Sequence, residues 1–404
     1  MPSDASNPFN EVTHTLFSRK EVLKEDYQPD QILERDQEIA AYRDALSDVL
    51  FGRSPPNIFV YGKTGVGKTV VTRYILDALE EEAESRESAD DLTVLFGNCT
   101  NESTYSILRR HINQLKSSAE KPFPKRGLST RDALDAFYEH LDDHGGSFLL
   151  VLDEIDHLKD LDNLLYELPR ARANDHITNA RVGIIGISND YTFRNRLSAK
   201  VKSSLREEEI SFTPYDANQL RTILEHRAKL AFADGACDES ALSLSAGLAA
   251  RDSGNARQAL DLLLTGGVLA ERAEDDVVRD THIETASKEV ERGHLKNKIQ
   301  DQTIHTQYVL EAVARLDVIE DLPARSKTIQ STYEDVANHW GDSPLQSLKS
   351  VQNHLSELSM LGFLTMNDRN SGQSGGRFYQ YDLDFDAETV FEVRQELEQK
   401  RSLE

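Results

Sequence analysis

Gly62-Lys63-Thr64-Gly65-Val66-Gly67-Lys68-Thr69 is the stretch that decides the fold of this 404-residue chain. It fits the pattern G-x-x-x-x-G-K-[ST] at every position. An apolar run, 57–61, precedes it and a helical pattern over 68–82 follows it, which is the strand–loop–helix context that the pattern requires. Glycines let backbone N–H groups close around phosphates at a helix N-terminus. The stretch therefore predicts a nucleotide-binding loop.

Two residues at the end of this loop have predicted roles in nucleotide chemistry. Lys68 places a point charge on the β- and γ-phosphates, and the hydroxyl of Thr69 is a ligand for Mg²⁺. We therefore expect ATP and Mg²⁺ as cofactors. The predicted cofactor-binding residues in this segment are Gly62, Lys63, Thr64, Gly65, Val66, Gly67, Lys68, Thr69 and Val70.

Two further apolar runs end in polar residues that suit catalysis. The run 149–152 ends in Asp153-Glu154, and the run 184–188 ends in Asn189. Both runs favour buried parallel strands, whose C-terminal ends meet beside the phosphate loop. Asp153 is predicted to hold Mg²⁺, and Glu154 to orient the attacking water or accept its proton. The Asn189 amide is predicted to position that water or the γ-phosphate.

A region without strand signals follows from residue 216. Its pattern is helical over 216–295, and Asn255 within it is a predicted helix cap. That cap leaves Arg257 in the first helical turn, facing the nucleotide if this region folds over the sheet as a lid. We predict that Arg257 is a sensor of the γ-phosphate and a fourth catalytic residue beside Asp153, Glu154 and Asn189.

The last part of the chain has the outline of a winged helix. From residue 301 it shows three helical stretches, then two short strands around the Gly/Ser-rich loop 371–376. The third helix, 344–361, is the predicted recognition helix. The predicted DNA-binding residues are Lys349, Gln352 and Asn353 on this helix, and Arg369 and Arg377 beside the wing tip.

The order of these motifs resembles the archaeal origin-recognition initiators, a family of AAA+ ATPases related to the eukaryotic origin recognition complex and cell-division-control loading proteins. Shorter segments strengthen the resemblance, which covers residues 15–385. They are Tyr27-x-Pro29 before Arg35, Asn98-Cys99-Thr100 before Tyr105, Val201-Lys202-Ser203-Ser204-Leu205, and Phe212-Thr213-Pro214-Tyr215-Asp216. The resemblance implies that the segment from Tyr27 to Arg35 lies along the adenine, with Arg35 as a cofactor-binding residue. It also implies that Tyr215 and Arg227 contact ATP.

The resemblance also sets the expected architecture. The fold class is α/β, an AAA+ P-loop ATPase with a parallel sheet, a helical lid domain and a C-terminal winged helix. The expected divisions are a flexible N-terminus (1–20), a nucleotide-binding domain (21–215), a lid (216–300) and a winged-helix domain (301–404).

One position departs from the family pattern. Relatives usually carry arginine just before the Val-x-Ser-Ser-Leu string, as a candidate finger toward a neighbouring subunit's ATP. Here that residue is Lys200, which keeps the charge but lacks the planar guanidinium. Arg194 or Arg196 could take the role instead, and the sequence does not decide between the three.

The charge of the chain indicates the salt concentration to which the protein is adapted. The formal net charge is -24, from 46 basic and 70 acidic residues. Dispersed acidic residues and scarce lysine favour adaptation to high salt, where the Debye length shrinks to about 3 Å and net charge no longer argues against DNA binding.

The chain has no apolar run of membrane-spanning length and begins without a secretory signal. We expect a cytoplasmic protein with no membrane partner.

The leading functional hypothesis is an ATP-switched replication initiator with slow hydrolysis. It would bind double-stranded origin DNA through the AAA+ and winged-helix domains and help to recruit or load the replicative helicase, with other initiator copies as a further candidate partner. One alternative is a regulatory ATPase whose winged helix controls transcription. Another is a helper paralogue that acts through protein contacts, since residues 301–404 carry 9 basic against 18 acidic side chains.

Overall fold

The computed structural model of the chain describes residues 15–86, 91–158, 160–205, 207–370 and 377–401. The chain divides into two compact units, residues 1–286 and 287–404. Each unit has its own hydrophobic core. Within the described ranges, no helix is both long enough and apolar enough to cross a membrane.

A parallel five-stranded sheet is the centre of the first unit. Its strands are β1 (Ile58–Gly62), β2 (Leu92–Asn98), β3 (Gly146–Asp153), β4 (Ala180–Ser188) and β5 (Glu208–Phe212). They lie in the order β2-β3-β4-β1-β5. Every residue of β1 is buried, as is β3 from its second residue onward, because both faces of a parallel sheet are covered by helices. The C-terminal ends of β1, β3 and β4 therefore bring Gly62, Asp153 and Ser188 to one edge of the sheet.

Helices cover both faces of this sheet. They are α1 (Asp36–Leu46), α2 (Lys68–Glu84), α3 (Thr104–Leu115), α4 (Thr130–His144), α5 (Leu161–Glu167), α6 (Phe193–Arg196) and α7 (Ala199–Leu205). Short 3-10 turns occur at Lys20–Leu23, Ser47–Phe51, Ile155–His157 and Leu168–Arg170. A capping box starts α4, where the side chains of Ser129 and Asp132 satisfy each other's backbone amides.

The lid consists of helices that follow the sheet. They are α8 (Ala217–Ala231), α9 (Glu239–Asp252), α10 (Ala256–Arg272) and the start of α11 (Asp280–Gln300), whose residues from 287 onward belong to the second unit. Side chains cap the first three at Asp216, Asp238 and Asn255. An N-terminal segment, residues 15–33, is here named the strap. Its residues Leu16 to Leu23 add four buried side chains to the lid core, and its backbone amides at Ser18 and Arg19 donate to Ala231 O at 2.8 and 3.0 Å.

The second unit contains a winged helix. Its elements are α12 (Ile304–Val318), β6 (Ala324–Arg325), α13 (Ser326–His339), α14 (Leu348–Met360), β7 (Leu364–Asn370), β8 (Arg377–Leu383) and α15 (Ala387–Arg401). The strands form an antiparallel sheet in the order β6-β8-β7. The recognition helix α14 begins later than predicted, because Ser347 caps it by accepting a hydrogen bond from the Ser350 amide. The α/β class and the winged helix predicted from the sequence are confirmed.

The C-terminal helix α15 was not predicted from the sequence pattern. It packs on α12 through Arg394, which is only 2% exposed. The guanidinium donates to Gln307 Oε1 at 2.7 Å and to Glu311 Oε2 at 3.3 Å. A charged residue of this kind is tolerated in a core because its partners compensate for the lost hydration.

Candidate functional site

The loop between β1 and α2 is shaped to surround an anion. Gly65 and Gly67 have φ of +76° and +92°, a backbone region that L side chains rarely adopt. Gly67 is also the N-cap of α2, so the loop turns its backbone toward the positive end of that helix. A Cβ at Gly67 would lie 3.1 Å from the hydroxyl of Tyr215. Only glycine leaves this cradle open, as phosphate binding at a helix N-terminus requires.

Lys68 is held at the centre of this cradle. Its Nζ donates to the carbonyl oxygens of Gly62 and Lys63, both at 2.8 Å, and to Asn189 Oδ1 at 2.7 Å. Burial lowers the pKa of Lys68 to about 8, and the nearby Asp153 carboxylate opposes that shift. The ammonium group is thus held where the phosphates of a bound nucleotide would lie and would neutralise its charge.

Thr69 and Asp153 form a pair suited to Mg²⁺. The Thr69 hydroxyl donates to Asp153 Oδ2 at 3.0 Å. Burial raises the pKa of the Asp153 carboxyl, while the hydrogen bond from Thr69 lowers it. A hydroxyl beside a carboxylate is the oxygen donor set that Mg²⁺ takes in nucleotide sites, with phosphates and water completing its shell. Among the described residues no group of three or more His, Cys, Asp or Glu is arranged to hold a metal ion.

Glu154 is turned out of the strand that precedes it. Its φ of +54° breaks the extended backbone directly after Asp153. The hydroxyl of Thr100, at the end of β2, donates to the Glu154 carboxylate, and the Glu154 amide donates to Asp153 Oδ1 at 3.1 Å. The carboxylate is therefore aimed into the cavity and held there, as a group that accepts a proton from water must be.

Asn189 is fixed by the residues that flank it. The Ser188 hydroxyl donates to Asp156 Oδ1 at 2.8 Å and accepts from the Asp190 amide at 2.9 Å. These two hydrogen bonds fix the C-terminal end of β4, so that the Asn189 amide faces Lys68. Asp156 lies in the turn that follows Glu154, so the two strand ends are locked to each other.

The lid contacts the phosphate loop directly. The Ala256 amide donates to Gly65 O at 3.0 Å. Asn255 Oδ1 accepts from the amides of Arg257 and Gln258 at 2.9 and 3.3 Å, which caps α10 as predicted from the sequence. The Arg257 guanidinium reaches Glu25 Oε1 of the strap at 2.6 Å.

These parts enclose one cavity with a polar and an apolar end. At the polar end it is lined by Glu25, Thr64, Gly65, Gly67, Lys68, Thr69, Val70, Asp153, Glu154, Asn189 and Arg257. At the apolar end it is lined by Leu23, Tyr27, Pro29, Ile32, Leu33, Tyr215, Ile223, His226, Arg227 and Leu260. The arrangement can hold phosphates against the loop and a flat heterocycle against the apolar side chains.

Arg227 closes the apolar end together with Tyr27. The Arg227 guanidinium lies 4.6 Å from the centre of the Tyr27 ring, within cation–π range. Burial lowers the pKa of Arg227. Both residues line the cavity, so the placement of Arg227 is compatible with the ATP contact that the family resemblance implies.

Arg35 lies behind the loop and is not among the residues that line the cavity. It is 2% exposed, and its Nη2 donates to Val66 O at 2.9 Å and to Thr213 O at 2.8 Å. Its guanidinium lies 3.6 Å from the centre of the Tyr215 ring. The contacts seen for this side chain are with the protein, and its expected contact with the nucleotide stays a prediction. Arg35 therefore joins the phosphate loop, at Val66, to the segment 213–215 that precedes the lid helix α8.

The other loop residues fall into two groups. Gly62 and Lys63 contribute carbonyl oxygens to Lys68, and Val66 is buried beneath the loop. Sequence reasoning missed most of the apolar lining, although Ile223 and Arg227 share a helix face of α8 at i, i+4 spacing. It also missed Glu25, for which the sequence offers no local signal.

The three candidate fingers all have partners within the chain. Lys200 Nζ lies 3.5 Å from the centre of the Tyr166 ring. Arg194 pairs with Glu207 and with Glu209, the latter at 3.2 Å, and Arg196 pairs with Asp190 at 2.7 Å. Their role toward another subunit stays a prediction.

The recognition helix presents a polar face. Lys349, Gln352 and Asn353 are exposed on α14, while Val351, Leu355 and Leu358 are fully buried. The wing tip 371–376 and the side chains of Arg369 and Arg377 lie outside the described residues, so their predicted DNA contacts stay predictions.

Three family models match the chain in the order of its domains. An AAA domain matches residues 53–189, a Cdc6 AAA+ ATPase-type lid domain matches 221–288, and a CDC6 C-terminal winged helix domain matches 297–393.

Whole-length relatives and a solved structure agree with these matches. The chain is 48% identical over 379 residues to ORC1-type DNA replication protein 8 of Halobacterium salinarum, covering 94% of this chain and 95% of the relative. It is 43% identical over 376 residues to ORC1-type DNA replication protein 11 of Haloarcula marismortui, covering 93% and 90%. The Aeropyrum pernix ORC1 protein, solved in complex with DNA, superposes with a TM-score of 0.78 at 33% identity, covering 94% of this chain and 97% of that one.

Proposed function

The chain belongs to the family of ORC1-type DNA replication proteins, which are AAA+ ATPases, and from this membership we propose that it is an ATP-switched initiator that binds replication-origin DNA. In this proposal ATP acts mainly as a conformational signal and is hydrolysed slowly. DNA binding brings the replicative helicase to the origin.

One observation carries the proposal for the switch. The phosphate loop and the lid share one cavity and touch at Gly65 and Ala256. Because Lys68, Glu154 and Asn189 belong to the sheet edge while Arg257 belongs to the lid, a bound triphosphate is positioned to bridge both. Nucleotide state is then coupled to lid position through differential contacts, which is the requirement for a ligand-driven switch.

The winged helix supports duplex binding through α14. Lys349 supplies a phosphate contact, and Gln352 and Asn353 carry side-chain amides that pair with adenine edges in a major groove. All three are exposed and lie opposite the buried leucines. The A. pernix relative was solved in complex with DNA, which supports duplex binding by this chain.

A basic loop on the AAA+ domain supports a second DNA contact. Residues 116–126 hold four basic side chains and one acidic residue in a chain whose net charge is -24. The loop is held in place on α3, since the Phe123 amide donates to Asn113 Oδ1 at 2.7 Å and Lys116 Nζ donates to Lys121 O at 2.9 Å. Lys125 and Arg126 are exposed. We propose that they contact DNA phosphates.

A second candidate function is a helper paralogue whose winged helix docks on another protein. Its support is the net charge of -9 over residues 301–404 and the exposure of Met360, which at 83% ends the recognition helix. A DNA reader usually presents a more basic surface.

Footprinting in molar KCl tests the proposal against this alternative. The probe is the intergenic DNA beside the protein's own gene, where an initiator of this kind is expected to bind repeats, with a scrambled duplex as reference. We expect protection of the repeats that is lost in Lys349→Ala and weakened in Lys125→Ala/Arg126→Ala. Lys229→Ala, which removes an exposed lysine from the lid, is the matched control and should protect as wild type does. Wild-type protein that protects no duplex would favour the helper function.

A further inference from the structure

The arginine predicted to sense the γ-phosphate already has an acidic partner. Arg257 Nη2 lies 2.6 Å from Glu25 Oε1, with side chains 44% and 62% exposed. Both residues line the nucleotide cavity. We propose that Glu25 competes with the γ-phosphate of ATP for Arg257 and thereby sets the selectivity of the site between ATP and ADP. This inference rests on the proposed ATP binding at the loop.

The backbone of Arg257 is fixed before any exchange of partners. The preceding residue, Ala256, is hydrogen bonded to Gly65 O at 3.0 Å, and Asn255 caps the helix by accepting from the Arg257 amide at 2.9 Å. The start of α10 is therefore already seated on the phosphate loop. The Arg257 side chain, 44% exposed, then has to leave Glu25 to reach a phosphate.

The backbone on both sides of Glu25 is held in place by its surroundings. Val22 and Leu23, just before it, are 0% exposed in the lid core. The Lys24 amide donates to Glu21 O at 3.0 Å, which closes the 3-10 turn that leads to Glu25. On the other side of it, Tyr27 lies under Arg227. The strap thus places the Glu25 carboxylate among the residues that line the cavity.

ATP and ADP differ in how they would interact with the ion pair between Arg257 and Glu25. ADP has no γ-phosphate, so Arg257 keeps its contact with Glu25. ATP offers a more highly charged partner, but it has to displace Glu25 first. An exposed ion pair contributes about 0.2–1 kcal/mol, so Glu25 should weaken ATP binding by about 1.4–5-fold relative to ADP.

Nucleotide titrations of Glu25→Gln test the exchange. Dissociation constants for ATP and for ADP are measured by equilibrium dialysis in molar KCl with Mg²⁺. We expect the ATP constant to fall about 1.4–5-fold while the ADP constant stays unchanged. Glu21→Gln is the matched control, because it removes the same charge from the strap at a residue that pairs with Arg19 at 3.0 Å. Neither constant should change in that variant.

The Arg257→Ala background separates the exchange from simple repulsion. If Glu25 acts through Arg257, adding Glu25→Gln to Arg257→Ala changes neither constant. If Glu25→Gln still tightens ATP binding there, Glu25 repels the phosphate directly and the exchange is overturned. An unchanged ratio of the two constants in Glu25→Gln overturns this inference alone when wild type binds both nucleotides. Wild type that binds neither overturns the proposed function and this inference with it.

Discussion

The backbone amide of Ala256, the first residue of the lid helix α10, donates a hydrogen bond of 3.0 Å to the carbonyl oxygen of Gly65 in the phosphate loop. Asn255 lies against the same glycine so closely that a Cβ there would come within 1.8 Å of Asn255 Oδ1. The loop and the lid therefore meet backbone to backbone. A change in the backbone conformation of the loop would therefore displace the start of α10, the helix that carries Arg257.

Gly65→Ala should disable the site through this contact. The new Cβ meets Asn255, and φ of +76° at this position is unfavourable for alanine, at a cost of about 1–2 kcal/mol before any clash. We expect ATP affinity to fall about tenfold or more, as measured by equilibrium dialysis. Gly247→Ala in α9 is the control, because nothing lies within 4 Å of its added Cβ. ATP affinity in Gly65→Ala equal to wild type would contradict the direct contact.

Lys68 should make ATP binding depend on pH. Its pKa, about 8, is depressed by burial, so the free site loses the ammonium charge as pH rises through 8. Affinity should be steady near pH 7 and about tenfold weaker at pH 9, and binding at pH 8.5 should take up protons. Calorimetry in two buffers with different ionisation enthalpies measures that uptake. In Lys68→Arg, whose charge does not titrate in this range, the weakening between pH 7 and 9 should vanish, and its persistence would place the titrating group elsewhere.

The fold could be predicted from the sequence where its signals are local. The loop 62–69 and the apolar runs that become β3 and β4 each carry their own pattern, and the predicted family membership is confirmed. The edge strand β5 escaped prediction because Glu208–Phe212 is short and only two of its residues are buried. Helix α15 escaped because its sequence is mostly polar and its anchor is a buried arginine.

The site was predictable only as far as its motifs extend. Lys68, Asp153, Asn189 and Arg257 converge on one cavity, and their chemical roles stay predictions. The supporting place of Arg35 depends on carbonyl groups of Val66 and Thr213 that are distant in sequence. The pairing of Glu25 with Arg257 depends on how the strap packs into the lid, which no local pattern encodes.

Glu154→Gln should bind ATP and fail to hydrolyse it. The substitution keeps the shape of a side chain to which Thr100 is hydrogen bonded but removes the carboxylate that accepts the proton. Loss of general-base catalysis costs about 10²–10⁴-fold in turnover. Phosphate release and ATP affinity are measured on the same preparation. Glu102→Gln, which removes a nearby acid paired with Arg110, should turn over normally. Normal turnover in Glu154→Gln would move the proton acceptor to another residue.

Stability should rise with salt because acidic side chains repel each other. Glu80 illustrates the effect: burial and the nearby carboxylates of Asp77 and Glu84 raise its pKa. We expect the melting temperature to rise from low salt to molar KCl as screening removes such repulsion. Glu84→Lys replaces one repulsive neighbour by an attractive one four residues from Glu80, so it should raise the melting temperature more at low salt than in molar KCl. Equal shifts under both conditions would contradict an electrostatic origin.

The affinity of the protein for origin duplex, compared between ATP and ADP, decides whether nucleotide at the phosphate loop controls DNA binding. Fluorescence anisotropy in molar KCl would be measured with origin and scrambled duplexes, for wild type and for Glu154→Gln, which holds ATP throughout the titration. The account predicts that ATP changes the origin affinity by about 5–150-fold, the usual range of coupling between two sites, that the scrambled duplex shows no such change, and that Lys68→Ala abolishes the difference. Identical origin affinity with ATP, with ADP and in Lys68→Ala would contradict the claim that nucleotide bound at this loop controls DNA binding.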